Sequence, residues 1–86
     1  MSATAKKVLV VDDSVFMRDI IKDIFAAGGF TVVGEAGNGV EAVEKFKELK
    51  PDLVTMDLVM PYRNGIDATR EILRTDNKAL VVMCSA

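Results

Sequence analysis

The strongest constraint on the fold of this chain is the regular alternation of strand-like and helix-like patterns along its length. Runs of Val, Leu and other apolar residues are typical of strands buried on both faces, and they fall at residues 7–11, 30–35, 53–57 and 79–84. Segments with apolar residues at helical spacing separate these runs. Alternating strand and helix units predict an α/β fold, β-α-β-α-β-α-β, with a parallel sheet and right-handed crossovers.

Capping and breaking residues predict where the helices begin and end. Ser14 is a good N-cap for the first helix, and the glycine pair at 28–29 should stop it. Asn38 opens the second helix and Pro51 ends it, while the third helix should cover residues 66–74. In the first helix the apolar residues at helical spacing are Phe16, Ile20, Ile21, Ile24 and Phe25.

Two arrangements of the strands satisfy this pattern. One is a doubly wound open sheet, and the other is half of a (β/α)₈ barrel, which would need a partner half to close. The open sheet in the order 2-1-3-4 requires no such partner, and we therefore predict it. In that order strands one and three lie side by side, at the point where the direction of winding reverses.

The composition limits the classes of function. The chain has 86 residues, 50% of them hydrophobic, which suits a single small domain over residues 1–86 with a flexible N-terminus at 1–5. A net charge of −2 without a basic run argues against nucleic-acid binding. No apolar run is long enough to span a membrane, so we expect a cytoplasmic protein. A single cysteine and no histidine exclude an intramolecular disulfide and Ser-His or Cys-His catalysis.

Polar residues stand at the ends of three of the predicted strands. Asp12 and Asp13 follow the first strand, Asp57 ends the third, and Ser85 follows the fourth. In an open parallel sheet these ends emerge at one edge, so we expect the three carboxylates to share a crevice. Oxygen ligands of this kind suit Mg²⁺, and the backbone carbonyl of Val59 would complete the protein's contribution.

Such a site suits the transfer of a phosphoryl group to a carboxylate. Asp57 would attack phosphorus and form an aspartyl phosphate, and the metal would neutralise charge on the phosphoryl oxygens. The hydroxyl of Ser85 and the backbone N–H of Ala86 would donate hydrogen bonds to the same oxygens. A single aspartate at a strand end is more often a helix cap or a turn former, but the joint pattern is far more specific.

The motifs of this chain resemble the receiver domains of two-component response regulators. The similar segments are residues 10–14, 56–61, 64–66 and 84–86, with 16–18 and 38–43 resembling the chemotaxis branch of that family. The resemblance covers residues 6–86 and implies a flavodoxin-like doubly wound sheet. It also implies a signalling switch rather than an enzyme, phosphorylated by a histidine kinase or by a small acyl phosphate.

The same resemblance implies a role for each site residue. Asp57 is the implied phosphoacceptor, and Ser85 is the implied switch hydroxyl that closes on the phosphoryl group. The implied Mg²⁺ is bound by Asp13, by Asp57 and by the carbonyl of Val59. Asp12 is expected to bind it through water.

Members of that family carry five strand-helix units, whereas the pattern in this sequence ends with the fourth strand. We therefore expect the family's fourth helix, fifth strand and fifth helix to be missing, together with the lysine that ends strand five. Phosphorylation should then be impaired. The apolar fourth strand would be a sheet edge, which predicts a homodimer through that edge. The alternative function is a self-assembling fragment of the fold that transfers no phosphoryl group.

Two further functions fit the residues less well. A Mg²⁺-dependent phosphohydrolase with an aspartyl nucleophile needs an acid/base carboxylate two residues further on, where this chain has Val59. A flavin site in this fold needs a loop rich in Ser, Thr and Gly after the first strand. Residues 12–15 are Asp-Asp-Ser-Val instead, and their charge repels a phosphate unless a metal intervenes.

Overall fold

The computed structural model describes residues 6–57 and 64–84, in which strands and helices alternate as the sequence predicts. The elements are β1 (Lys7–Val11), α1 (Val15–Ala27), β2 (Thr31–Ala36), α2 (Gly39–Leu49), β3 (Leu53–Asp57), α3 (Gly65–Thr75) and β4 (Leu80–Cys84). Their bounds differ from the predicted ones by one residue at most. The segment 1–5, for which flexibility is predicted, lies outside the described residues.

The strands form a parallel sheet in the predicted order, β2-β1-β3-β4. β1 pairs with β2 on one side and with β3 on the other, and β3 pairs with β4. In a (β/α)₈ barrel each strand would instead neighbour its successor in the chain. The doubly wound arrangement is therefore confirmed. β1 and β3 form the middle of the described sheet and are its most deeply buried strands.

Side-chain caps begin all three described helices. The N-cap residues are Ser14, Asn38 and Asn64, whose side chains accept the backbone N–H of Met17, Glu41 and Asp67 at 3.2, 2.8 and 2.9 Å. Each of these bonds satisfies one of the N–H groups that the first turn of a helix leaves without an intrahelical partner. None of the described helices is long and apolar enough to cross a membrane.

Backbone geometry ends the first two helices. Gly29 follows α1 with φ at 91°, a conformation that favours glycine because other residues clash there through Cβ. α2 ends when Lys50 takes the left-handed conformation, and its N–H bonds to the carbonyl of Phe46 at 2.9 Å. The helix therefore ends at Leu49, with Lys50 as the C-cap directly before Pro51, in agreement with the prediction.

The two faces of the sheet are covered unequally. Along β1, Val8 and Val10 face α1, whereas the intervening Leu9 packs towards α2 and α3. The larger core lies on the α2/α3 side, and the buried residues that these two helices contribute are Ala42, Val43, Phe46, Ala68 and Ile72. On the opposite side α1 buries only Ile21, and Ile24 is 63% exposed. The α1 side of the sheet is therefore partly open to solvent.

Candidate functional site

The candidate site lies where β1 and β3 end. The two strands are paired so that Val11 stands opposite Met56, which brings Asp12 beside Asp57 at the same edge of the sheet. β2 lies on the other side of β1 and β4 on the other side of β3, so the winding reverses between these two strands. Ligands of open α/β sheets bind at such a switch point.

Three carboxylates meet there and form what we call the acidic cluster: Asp12, Asp13 and Asp57. Each offers one carboxylate oxygen, and these oxygens all lie within 4.8 Å of one another. Asp12 and Asp57 are only 8% and 9% exposed, while Asp13 faces solvent. The predicted gathering of the three side chains is therefore confirmed.

The donor set of the acidic cluster fits Mg²⁺. All its ligand atoms are hard carboxylate oxygens, which this cation prefers. Like charges at this separation repel one another, and a divalent cation between them would relieve that repulsion. The exposed Asp13 leaves the cluster open to solvent on one side, as a site must be if it also admits a phosphoryl group.

Asp12 is held in place through three of its polar atoms. Its backbone N–H donates to the carbonyl of Ala36 at 3.1 Å, which continues the pairing of β1 with β2. Its carboxylate Oδ1 accepts the backbone N–H of Ser14 at 2.9 Å. Its backbone carbonyl accepts a hydrogen bond from Nη1 of Arg18 at 2.7 Å. Both the main chain and the carboxylate of Asp12 are thus fixed.

A charged network joins α1 to the end of β2 next to this site. Nε of Arg18 donates to Oε1 of Glu35 at 2.7 Å, and Nζ of Lys22 donates to Oε2 at 2.8 Å. Hydrogen bonds from Lys22 and then from Arg18 hold the pKa of the Glu35 carboxyl below its usual value. Hydrogen bonds to Glu35 and to Asp19 raise the pKa of Lys22. Both groups are therefore charged at neutral pH.

The sequence did not indicate that Arg18 and Glu35 contact each other next to the candidate site. The chain separation of these two residues is 17, and their contact depends on how α1 crosses the sheet. The one clue in the sequence was the position of Arg18, four residues after the N-cap of α1 and therefore within the first turn of the helix that follows β1. The local sequence pattern does not predict that its guanidinium lies against the backbone at the end of β1.

Three of the predicted site residues lie outside the described residues. These are Val59, Ser85 and Ala86. The metal-binding carbonyl of Val59 and the phosphoryl contacts of the other two therefore remain predictions. The described structure brings together the three carboxylates, which form the acidic half of the predicted site.

Comparison with known proteins identifies one family for this chain and its fold. The family model for the response regulator receiver domain matches residues 8–86. The chain is 59% identical over 81 residues to the chemotaxis protein CheY of Thermotoga maritima, and 56% identical over 82 residues to CheY of Bacillus subtilis. These matches cover 94% and 95% of this chain and 68% of each relative.

Solved structures agree with this match. The crystal structure of the response regulator domain of Thermotoga maritima CheB is 49% identical in sequence, with a TM-score of 0.89 over 95% of this chain. A complex of CheX, CheY, BeF₃ and Mg²⁺ from Borrelia burgdorferi contains a chain that is 41% identical, with a TM-score of 0.91 over 94% of this chain. The chain spans 61% and 62% of the length of those two chains.

The doubly wound sheet and the carboxylates at its switch point define a receiver module, and this chain belongs to the response regulator receiver domain family. Within that family it is similar to chemotaxis proteins of the CheY type along more than nine tenths of its length. Proteins of this family are signalling switches.

Proposed function

We propose that this chain is a phosphoacceptor module of a two-component or chemotaxis signalling system. In this proposal residues 1–86 form one domain that accepts a phosphoryl group on Asp57 in the presence of Mg²⁺. The observation that carries the proposal is the position of Asp57, nearly buried at the end of β3 with Asp12 and Asp13 beside it. A carboxylate so placed is shielded from bulk water yet next to the open side of the acidic cluster.

The proposed chemistry uses the residues at the strand ends. A carboxylate oxygen of Asp57 forms a bond to phosphorus as the bond between phosphorus and the donor's leaving group breaks, and the leaving group keeps that electron pair. Asp13, Asp57 and the carbonyl of Val59 would hold Mg²⁺, with Asp12 bound through water. The cation supplies charge neutralisation for the phosphoryl oxygens.

Two predicted contacts complete the proposed site. The Ser85 hydroxyl and the backbone N–H of Ala86 would donate hydrogen bonds to the phosphoryl oxygens, which carry the negative charge in the product. Val59 offers no acid/base side chain two residues after the nucleophile, which favours a stable aspartyl phosphate over catalytic turnover. The chain is thus proposed to act as a switch and not as an enzyme.

The proposed partners follow from the same chemistry. The phosphodonor is a histidine kinase or a small acyl phosphate, and the protein acts in the cytoplasm. Nucleic acid is not a proposed partner, since the net charge is −2 and the Lys and Arg residues are mixed with acidic ones. The Borrelia burgdorferi complex of a similar chain with CheX, BeF₃ and Mg²⁺ supports both a protein partner and the cation.

Removing the metal is the first test of this function. We expect one phosphoryl group per chain when the protein is incubated with acetyl phosphate and Mg²⁺, as read from its intact mass. The same incubation with excess EDTA should give no adduct, because the acidic cluster would then repel the anionic donor. An adduct of equal yield in EDTA, or none under either condition in a folded sample, would contradict the proposal.

The exposed fourth strand supports a second proposal, that two copies of this chain associate through β4. Within the described sheet β4 pairs with β3 alone. Three of its apolar residues are exposed to solvent, Leu80 by 60%, Val82 by 41% and Met83 by 39%. An open apolar strand edge is a template for pairing with another strand. We therefore propose a homodimer.

Replacing Leu80 with lysine should disrupt this association. The charge would be placed on the exposed apolar strand, where a second copy would have to desolvate it. Sedimentation velocity at tens of micromolar should show a dimer for the wild type and a monomer for Leu80→Lys. Val40→Lys is the matched control, because Val40 is 47% exposed on α2 instead of β4. A monomeric wild type would contradict the proposal.

A further inference from the structure

The side chain of Arg18 joins three parts of the structure next to the acidic cluster. It projects from α1, and it bonds through Nη1 to the backbone carbonyl of Asp12 after β1 and through Nε to Glu35 in β2, both at 2.7 Å. The side chain is only 15% exposed. Charge-assisted hydrogen bonds of this length are among the stronger ones in proteins. These two bonds therefore hold the guanidinium in one orientation.

The acceptor in the first of these bonds belongs to the peptide group between Asp12 and Asp13. Because a peptide group is planar, fixing its carbonyl also fixes the direction in which the chain leaves for Asp13. The N–H on the other side of Asp12 is already bound to Ala36. The bond from Arg18 therefore holds the carbonyl of the peptide group that joins the two adjacent aspartates of the acidic cluster.

We propose that Arg18 is a positioning residue for Mg²⁺ binding, which it favours by holding the peptide between Asp12 and Asp13 in the orientation that the cation requires. The inference rests on the function proposed above. The bond from Arg18 uses the backbone carbonyl of Asp12, so it takes up no carboxylate oxygen of that residue. Partners that orient metal ligands typically contribute 10- to 100-fold in affinity.

Glu35 fixes the other end of the guanidinium. Both carboxylate oxygens of Glu35 are engaged, one by Arg18 and one by Lys22. The guanidinium is planar and rigid, so holding Nε on Glu35 also sets the direction of Nη1. A lysine at position 18 has no such fork and cannot make both bonds with one fixed geometry.

The loop after β2 leaves the guanidinium little room to move. A Cβ atom at Gly37 would lie 3.2 Å from Nη1 of Arg18, closer than most Cβ contacts. The loop is held in this position because the N–H of Gly37 donates to Oε1 of Glu41 at 2.8 Å. A methyl group at position 37 would crowd Nη1 by a few tenths of an ångström, so we expect it to disturb the bond to Asp12 while Arg18 itself stays present.

The test compares Mg²⁺ affinity in two matched variants of the 86-residue chain. Arg18→Met removes the bond to Asp12 and one ion pair with Glu35, whereas Lys22→Met removes the other ion pair with Glu35 and the ion pair with Asp19. Titration with MgCl₂, followed in ¹H–¹⁵N NMR spectra, should show a dissociation constant about tenfold higher for Arg18→Met. Lys22→Met should change it by less than about twofold, because it leaves the bond from Arg18 to Asp12 in place.

Two further variants complete the test. Arg18→Lys should restore only part of the affinity, and Gly37→Ala should weaken binding in the same direction with Arg18 intact. If Arg18→Met gives no dispersed spectrum, Gly37→Ala decides the matter. If Arg18→Met folds and binds Mg²⁺ with wild-type affinity, the inference is overturned. If Arg18→Met does not fold, wild-type affinity for Mg²⁺ in Gly37→Ala would overturn it. An equal loss in Lys22→Met would also overturn it. A wild type that binds no Mg²⁺ would instead refute the proposed function.

Discussion

Replacing Asp57 with asparagine is expected to abolish the uptake of a phosphoryl group from acetyl phosphate. The amide that results is uncharged and is not a nucleophile towards phosphorus, so the bond to phosphorus cannot form at this position. The adduct seen by intact mass should fall by at least about 100-fold, the order of effect that follows from removing a covalent nucleophile. The neighbouring Asp12 and Asp13 should not take its place, since they are expected to be engaged with the cation.

Asp23→Asn is the matched control for this change. Asp23 lies on α1 as an exposed aspartate outside the acidic cluster, and the replacement removes the same charge. The control should be phosphorylated like the wild type. If Asp57→Asn is modified as fully as Asp23→Asn, then another residue accepts the phosphoryl group and the assignment of Asp57 is wrong.

Replacing Ile72 with alanine should cause a large loss of stability. Ile72 is fully buried in the larger core, where it packs α3 against the sheet. Truncating a buried isoleucine removes its apolar contacts and leaves a cavity, which costs about 2–5 kcal/mol. That is a large share of the roughly 5–15 kcal/mol that stabilises a typical protein. Urea unfolding followed by far-UV circular dichroism would measure the change.

The adjacent residue on the same helix provides the control. Leu73 is 39% exposed, so Leu73→Ala removes a side chain of the same size from a site that solvent already reaches. Its cost should be less than about 1 kcal/mol, because little transfer energy is lost and little cavity forms. Equal costs at the two positions would contradict the assignment of α3's buried face.

The order of the sheet and the meeting of the three carboxylates were predictable from the sequence. Runs such as residues 8–11 identify buried strands, and caps such as Ser14 identify the helix starts between them. General rules of handedness and strand order then place the strand ends at one edge. Asp57 therefore had to lie near Asp12 once the order 2-1-3-4 was chosen.

The network that supports the site could not be predicted in the same way. Arg18 and Glu35 lie on different elements, and their contact depends on the rotation of α1 about its axis. Periodicity predicts that α1 is a helix, but its apolar residues occur on more than one side. The structure buries Ile21, while Ile24 and Phe16 are 63% and 72% exposed. The side of α1 that faces the sheet, and with it the direction of Arg18, is set by tertiary packing.

The most direct test of the central claim is to locate the phosphoryl group in the chain. Borohydride reduces an aspartyl phosphate to homoserine, and the reduced residue can be found by tandem mass spectrometry of peptides. After incubation with acetyl phosphate and Mg²⁺, we expect homoserine at position 57 alone, and none when EDTA replaces Mg²⁺. Homoserine at position 12 or 13, or a folded protein with none at all, would contradict it.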